Sequence, residues 1–293
     1  MTHSLSKQKS MTHSLSKGTA LITGASRGIS AVYADRLAKR GYDLILVARS
    51  EARLKALSAR LTSETGRSVT PLAIDLNHKA DLAKVEAKLR EDQTITMLVN
   101  NAGIGSVARL LDADVEKMED MIALNITALT RLTYAVAPAF VKRGAGTIIN
   151  IASVVGISPE TLNGVYGATK AYVIALSHAL QHELADKGIR TQAVLPAATA
   201  TDIWELAGLS YQNLPASIVM SPEDMVDAAL VGLDQGELVT LPSLHDEDEW
   251  TRFEAARRAI SQRFGNSVPA PRYEIGVPAS ALSHMNENRK VED

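Results

Sequence analysis

Apolar and polar positions along the chain fall into two alternating patterns. Short runs of consecutive apolar residues, bounded by glycine or polar clusters, mark strands buried on both faces. Between them lie longer stretches in which apolar residues return every three or four positions, as in helices with one buried face. Thr19–Thr23 (TALIT) is the first strand and stops at Gly24. Ala31, Tyr33, Ala34, Leu37 and Ala38 predict a helix ending near Gly41, and Asp43–Arg49 the next strand. Leu54, Leu57 and Leu61 share one face of a helix over Ser50–Leu61. Val69–Asp75 is a third strand and Ala80–Leu89 a third helix. Strand Ile95–Asn100 precedes a long helical period from Val115 to about Arg143, and strand Thr147–Ala152 precedes another from about Val165 to Lys187, closed by Gly188. Thr191–Leu195 is the sixth strand. Ser221-Pro222-Glu223-Asp224 combines a cap, a proline at the first helical position and early acids, which marks a helix start. Leu238–Leu241 is the seventh strand.

Strands alternating with helices need right-handed crossovers, which give a parallel sheet covered on both faces. The expected class is therefore α/β: one doubly wound domain over residues 18–265 around a seven-stranded, mostly parallel sheet. Such sheets bind ligands beyond the carboxyl ends of their strands, where the strand order reverses. The residues that carry chemistry should follow strands.

Outside that domain, MTHSLSK occurs at 1–7 and again at 11–17. Repeat architectures stack several units of roughly 20–50 residues, so this reads as a duplicated start with no part in the fold. A transit peptide would suit the Ser, the Lys and the lack of acids, but the segment has no Arg, no apolar face and no apolar core for a secretory signal. Residues 266–293 form a C-terminal extension, polar and aperiodic from Ser280 onward.

Composition narrows the chemistry. The chain has no cysteine, which removes disulfides, a thiolate nucleophile and Cys-based metal sites. Lys plus Arg number 31 against 33 Asp plus Glu, a formal charge of −2 that builds no basic footprint for nucleic acid. No apolar run approaches the ~18 residues of a membrane span. The expectation is a soluble, cytoplasmic α/β protein.

The first strand runs into Thr23-Gly24-Ala25-Ser26-Arg27-Gly28-Ile29-Ser30, which opens a helix. Gly24 permits the tight turn, and Gly28 lets a pyrophosphate approach the backbone where free N–H groups and the helix dipole meet an anion. Glycine is also the default turn residue, so the strand–turn–helix setting carries the reading. Asn100-Asn101-Ala102-Gly103 after the fourth strand and Asp75 at the end of the third are residue types that terminate strands. Their placement suggests that they line an adenosine site.

Tyr166 and Lys170 stand four apart on one helix face. A phenol ionises near ~10, and drawing it toward ~7 takes about 4 kcal/mol from a neighbouring ammonium, which would make the tyrosine a usable general acid/base. The spacing alone is common on helix surfaces. Ser153 ends the fifth strand, where its hydroxyl could hold a substrate oxygen beside the phenol. Asn125 falls inside the long helix before that strand, either as a solvent-facing position or as a polar side chain with a task.

Thr23–Ser30, Asn100–Gly103, Asn125, Ser153 and the Tyr166-Gly-Ala-Thr-Lys170 block together resemble the classical short-chain dehydrogenase/reductase family, over roughly residues 18–245. The resemblance implies a Rossmann-like domain, a nicotinamide cofactor and hydride transfer between it and a ketone or alcohol. Carried over, Tyr166 is the proton donor or acceptor, Lys170 lowers its pKa and holds the nicotinamide ribose, Ser153 orients the carbonyl, and Asn125 supports a proton-relaying water. The same resemblance implies cofactor contacts at Gly24, Ser26, Arg27, Gly28, Ile29, Arg49, Asp75, Asn101, Ala102, Gly103, Tyr166, Lys170, Pro196, Thr199 and Thr201. Asp75 and Asn101 would face the adenosine half and Thr201 the nicotinamide amide. It also suggests a homodimer or homotetramer through the helices at Val115–Arg143 and Val165–Lys187. Two positions depart from the family pattern. Ser30 stands where glycine is usual, and Ala197 follows Pro196 where glycine is common.

An acid after the second strand is what grips the 2′-hydroxyl of NAD in these folds. This chain has Ala48 there, followed by Arg49, with Arg27 in the glycine turn, so NADP(H) is expected over NAD(H). Residues 202–220 are too long for an ordinary connection and predict a substrate lid with Trp204 and Leu206 facing the substrate. His178 and His182, four apart, lack the third ligand a metal needs, so no metal site is expected. Trp250, Phe253, Ile260 and Phe264 form an apolar stripe suited to packing or to a subunit contact. A redox sensor that keeps the dinucleotide fold without chemistry, and an NAD-dependent epimerase or dehydratase, are the competing functions. The first would not need all four polar residues in register, and the second suits neither the chain length nor the glycine motif.

Overall fold

The computed structural model describes residues 16–273. The duplicated start up to residue 15 and the polar tail from Ser280 lie outside the described residues. One compact unit ends at Ser243 and a second begins at Leu244.

In the first unit seven strands form one sheet: β1 (Thr19–Thr23), β2 (Asp43–Ala48), β3 (Val69–Ala73), β4 (Ile95–Asn100), β5 (Gly146–Ile151), β6 (Ile189–Val194) and β7 (Val239–Thr240). Their order is β3-β2-β1-β4-β5-β6-β7, and every pairing is parallel. All five residues of β1 are buried, as a strand covered on both faces requires. Helices α1 (Gly28–Lys39), α2 (Glu51–Thr65) and α3 (Lys79–Glu91) follow the first three strands. The segment after β4 carries α4 (Val115–Ile122), a π-helical stretch Ala123–Ala128 and α5 (Leu129–Arg143). Helix α6 (Gly164–Leu184) joins β5 to β6, a four-residue α7 (Ile203–Leu206) lies beyond β6, and α8 (Pro222–Gln235) precedes β7.

Leu37, Leu54, Val226 and Leu230 pack with Ile22 and Leu46 on one side of the sheet; Val85, Leu132, Val136 and Phe140 pack with Leu21 and Ile148 on the other. The chain leaves β1 in one direction through β2 and β3 and then crosses back to β4 on the other flank of β1. The crevice that opens at this reversal, beyond the carboxyl ends of β1 and β4, is where a ligand fits.

Several boundaries differ from the sequence pattern. Strand β3 ends at Ala73, so Asp75 lies in the following turn, where His78 N–H donates to its carbonyl at 3.0 Å. Helix α2 starts at Glu51, because the Ser50 side chain is its cap and accepts from Arg53 N–H; it runs on to Gly66, which takes a left-handed φ of 69°. The predicted continuous helix over Val115–Arg143 contains a wider π turn at its middle, a feature that apolar periodicity does not register.

In the second unit, α9 (Glu247–Ser261) is capped by Asp246, and Trp250 stacks on Phe253 with ring centres 5.2 Å apart.

Candidate active site

A cavity of about 920 Å³ runs from the carboxyl end of β2 across the glycine turn to Tyr166, and on beneath the segment that follows β6. Its wall includes every cofactor position expected from the sequence, together with Ser153, Tyr166 and Lys170. Asn125 is the exception, and it lies behind the wall.

The glycine turn is held by local chemistry. Gly24 has φ of 70°, and a Cβ there would sit 3.0 Å from the Ala102 Cα. Gly28 has φ of 54°, with space only as far as the Thr201 methyl, 3.2 Å from where a Cβ would lie. Thr23 Oγ1 accepts the N–H groups of Asn101 and Ala102, both at 3.0 Å, and so ties the end of β1 to the turn after β4. Ser30 is fully buried; its hydroxyl donates to the Thr23 carbonyl at 2.8 Å and accepts from Asn101 Nδ2. Where the family favours glycine, this chain therefore has a hydroxyl that bonds three elements of the site together. Helix α1 has no side-chain cap and no acidic residue in its first turn, unlike α2 and α8, which carry serine caps and acids. An uncapped helix N-terminus facing a cavity over two glycines suits a pyrophosphate.

Farther along, Ser153 sits in extended backbone just beyond β5, nearly buried, its hydroxyl donating to the Pro196 carbonyl at 3.2 Å. Tyr166 lies in the first turn of α6, where its N–H donates to the Asn163 cap at 3.1 Å. Gly105 approaches the phenol so closely that a Cβ there would be 3.6 Å from the ring. Burial pushes the Tyr166 phenol up to about 12, with the Ser153 hydroxyl acting in the opposite direction. Burial also draws the Lys170 amine down to about 8. Its Nζ donates to the Ile151 carbonyl at 2.9 Å and lies 5.8 Å from the centre of the Tyr166 ring. The lowering of the phenol by the ammonium that the four-residue spacing suggested is not what governs this tyrosine; desolvation is.

Asn125 stands in the π-helical stretch and is 2% exposed, so it is not a solvent-facing helix position. Its Oδ1 accepts Ile104 N–H and its Nδ2 donates to the Ile104 carbonyl, both at 2.9 Å. Nδ2 also donates to Thr169 Oγ1, whose own proton goes to the Tyr166 carbonyl. One amide thus fastens the loop after β4 to the helix that presents the tyrosine. Thr169 and Asn163 were not singled out in the sequence, although each lies within three residues of Tyr166.

At the β2 end, Ala48 leaves no carboxylate at the strand terminus, and Arg27, exposed Arg49 and Arg53 line the wall. Arg53, in the first turn of α2, is an addition to the arginines read from the sequence. Asp75 accepts Asn77 N–H at 3.0 Å. Beyond β6, Thr199 pairs with Met220 in an isolated bridge, and Trp204 Nε1 donates to the Thr199 carbonyl at 3.0 Å. Val107, Leu162, Trp204, Leu206, Leu209 and Ile218 make this end of the cavity apolar. Trp204 and Leu206 both line the cavity, and Leu206 keeps most of its surface exposed.

Among the described residues no group of three or more His, Cys, Asp or Glu side chains could hold a metal ion. No described helix is long and apolar enough to cross a membrane.

A family model described as short chain dehydrogenase matches residues 18–210. A solved short-chain dehydrogenase from Sphingobium yanoikuyae in complex with NADPH is 51% identical, with a TM-score of 0.84 over 87% of this chain and 98% of that one. A bulky-bulky ketone specific alcohol dehydrogenase from Comamonas testosteroni is 44% identical, with a TM-score of 0.81 over 88% and 98%. Among curated proteins, a very-long-chain 3-oxoacyl-CoA reductase of Anas platyrhynchos is 33% identical over 73% of this chain and 69% of its own length.

Proposed function

The chain belongs to the short-chain dehydrogenases, oxidoreductases acting between alcohol and carbonyl, and we propose that it is an NADP(H)-dependent reductase of bulky, apolar ketones. The observation that carries this reading is one continuous cavity with a proton-donating tyrosine between two unlike ends. Arginines without a strand-end carboxylate line one end, and Trp204, Leu206 and other apolar side chains line the other. The relatives that bind NADPH and that act on bulky ketones support the two halves of the proposal separately.

The residues present fit a nicotinamide dinucleotide. The uncapped α1 N-terminus and Gly28 would receive the pyrophosphate, Asp75 and Asn101 would flank the adenosine, and Lys170, Pro196 and Thr201 would border the nicotinamide half. When bound, such a cofactor supplies the hydride that the carbonyl carbon gains. The protein's part is to place and charge the oxygen. The Ser153 hydroxyl and the Tyr166 phenol line the same cavity; a carbonyl oxygen held between them accepts the phenol proton, and the Ser153 proton once that hydroxyl turns from the Pro196 carbonyl, and is polarised before it reacts. A phenol held up at about 12 carries its proton at neutral pH and delivers it to the oxygen as the alcohol forms. Lys170, at about 8, remains an ammonium at pH 7 and offsets the transient phenolate until solvent returns the proton. Asn125 and Thr169 keep the loop and helix in register and take no proton in this scheme.

The test follows NADPH and NADH absorbance with a panel running from acetone to diaryl ketones. The reading expects kcat/KM with NADPH to exceed that with NADH by about tenfold or more and to rise with the size of both ketone substituents. Equal efficiency with the two cofactors removes the NADP assignment, and a preference for acetone removes the substrate assignment.

A further inference from the structure

Asp202 is the last residue before α7 and so belongs to the substrate segment, yet its carboxylate reaches back to the cofactor end of the cavity. Oδ2 lies 3.2 Å from Arg27 Nη1 in the glycine turn and 3.9 Å from Arg53 Nη1 in the first turn of α2. These arginines, with Arg49, line the wall where β2 ends without an acid. Of the two carboxylates that line this cavity, Asp75 is engaged with Asn77 N–H, and Asp202 alone pairs with the arginines.

We propose that Asp202 is a cofactor-specificity residue carried by the substrate segment: an internal anion that shares Arg27 and Arg53 with the 2′-phosphate of the adenosine and yields them when that phosphate binds. The inference rests on the NADP(H) reading above. Both partners of the Arg27–Asp202 pair are solvent-accessible, with side-chain exposures of 34% and 54%, and ion pairs of that kind are weak. A phosphate dianion brings twice the charge and more acceptor oxygens to the same guanidinium groups, so it displaces a carboxylate. A 2′-hydroxyl carries no charge and leaves the pair intact. Asp202 is followed within two residues by Trp204, whose indole borders the cavity and hangs from the Thr199 carbonyl. Release of Asp202 therefore frees the start of the substrate segment when the phosphorylated cofactor is present and not when the unphosphorylated one is.

The experiment needs no turnover. The chain has two tryptophans, so a Trp250→Phe background leaves Trp204 as the reporter. Adenosine 2′,5′-bisphosphate and 5′-AMP are titrated against that protein and against the same protein carrying Asp202→Asn. The bisphosphate is expected to move the Trp204 emission and 5′-AMP to bind without moving it. Asp202→Asn should bind the bisphosphate about two- to fivefold more tightly, leave 5′-AMP unchanged and lose the emission response, because its segment is already released. Unchanged affinity of Asp202→Asn for the bisphosphate, or an equal emission response to 5′-AMP, overturns the role of Asp202 while leaving the cofactor assignment standing. A bisphosphate that binds the parent no better than 5′-AMP, and no worse after Arg27→Ala, overturns both together.

Discussion

Lys170 stands one helical turn beyond Tyr166, with its ammonium 5.8 Å from the centre of the phenol ring, and gives its hydrogen bond to the Ile151 carbonyl at the end of β5. The charge is thereby fixed against the sheet and cannot swing away as the phenol changes state. Since burial holds the phenol near 12 and the amine near 8, the neutral-phenol, charged-amine pair exists only below about pH 8. Ketone reduction should be flat from pH 6 to 7 and fall as pH climbs through about 8. A kcat profile for reduction that keeps rising to pH 10 would contradict this pairing.

Tyr166→Phe removes the proposed proton donor and keeps the ring that packs beside Gly105. Turnover should fall by about 10²–10⁴-fold, with NADPH affinity measured by fluorescence titration within a factor of about two to three. Near-normal turnover in this variant would move the proton donor elsewhere.

Lys170 is 7% exposed, and its folded pKa lies below the 10.5 of a free lysine. The unfolded chain therefore binds the proton more tightly, and stability contributed through this group rises as pH climbs from about 8 toward 10.5. At pH 7 the buried charge costs roughly 3 kcal/mol, less the bond to Ile151. Lys170→Met should raise Tm by several degrees in calorimetry at pH 7 while nearly abolishing turnover. The Tm gain should shrink at pH 10.

Trp204→Ala enlarges the apolar end and removes a hydrogen bond to the Thr199 carbonyl. The ranking of small against bulky ketones should change, with Tm lower by no more than a few degrees. A large loss of Tm with an unchanged ranking would make Trp204 a packing residue.

Arg49→Asp places a carboxylate where β2 ends. Loss of a charged hydrogen bond and gain of a like charge should erase the NADPH preference, by about ten- to a hundredfold in kcat/KM, and raise NADH efficiency. The ratio of the two efficiencies before and after substitution is the measurement.

The sheet was readable from sequence because strands buried on both faces are unbroken apolar runs, as in Ala20–Ile22 and Leu44–Val47. The site was readable where its residues follow strands: Gly24, Asn101 and Ser153 all do. What escaped was whatever depends on a turn of the wrong width or on a partner far along the chain. The π stretch that buries Asn125 leaves no periodic trace, so a helix-interior asparagine looked equally suited to solvent. Asn163 Nδ2 donates to the Ala108 carbonyl and Thr169 Oγ1 accepts from Asn125 Nδ2, two bonds that become visible only once α6 lies beside the segment after β4. In the sequence Ser30 stands out only as a departure from glycine, and the positions of Thr23 and Asn101 show what its hydroxyl does.

The bridge between Thr199 and Met220 is reinforced by Ala200 N–H donating to the Met220 carbonyl and Met220 N–H to the Ala198 carbonyl, both at 2.9 Å. Both ends of the intervening segment are thus riveted to one point of the scaffold, and its length is decoupled from the spacing of β6 and α8. For a loop closed in this way, doubling the length adds only about 0.6 kcal/mol of closure entropy. Insertions, deletions and replacements between Leu206 and Met220 leave Ser153, Tyr166, Lys170, Thr201 and Asp202 on their own rigid frame. The apolar end of the cavity is therefore a detachable module, free to diversify toward new substrates while the catalytic half stays as it is.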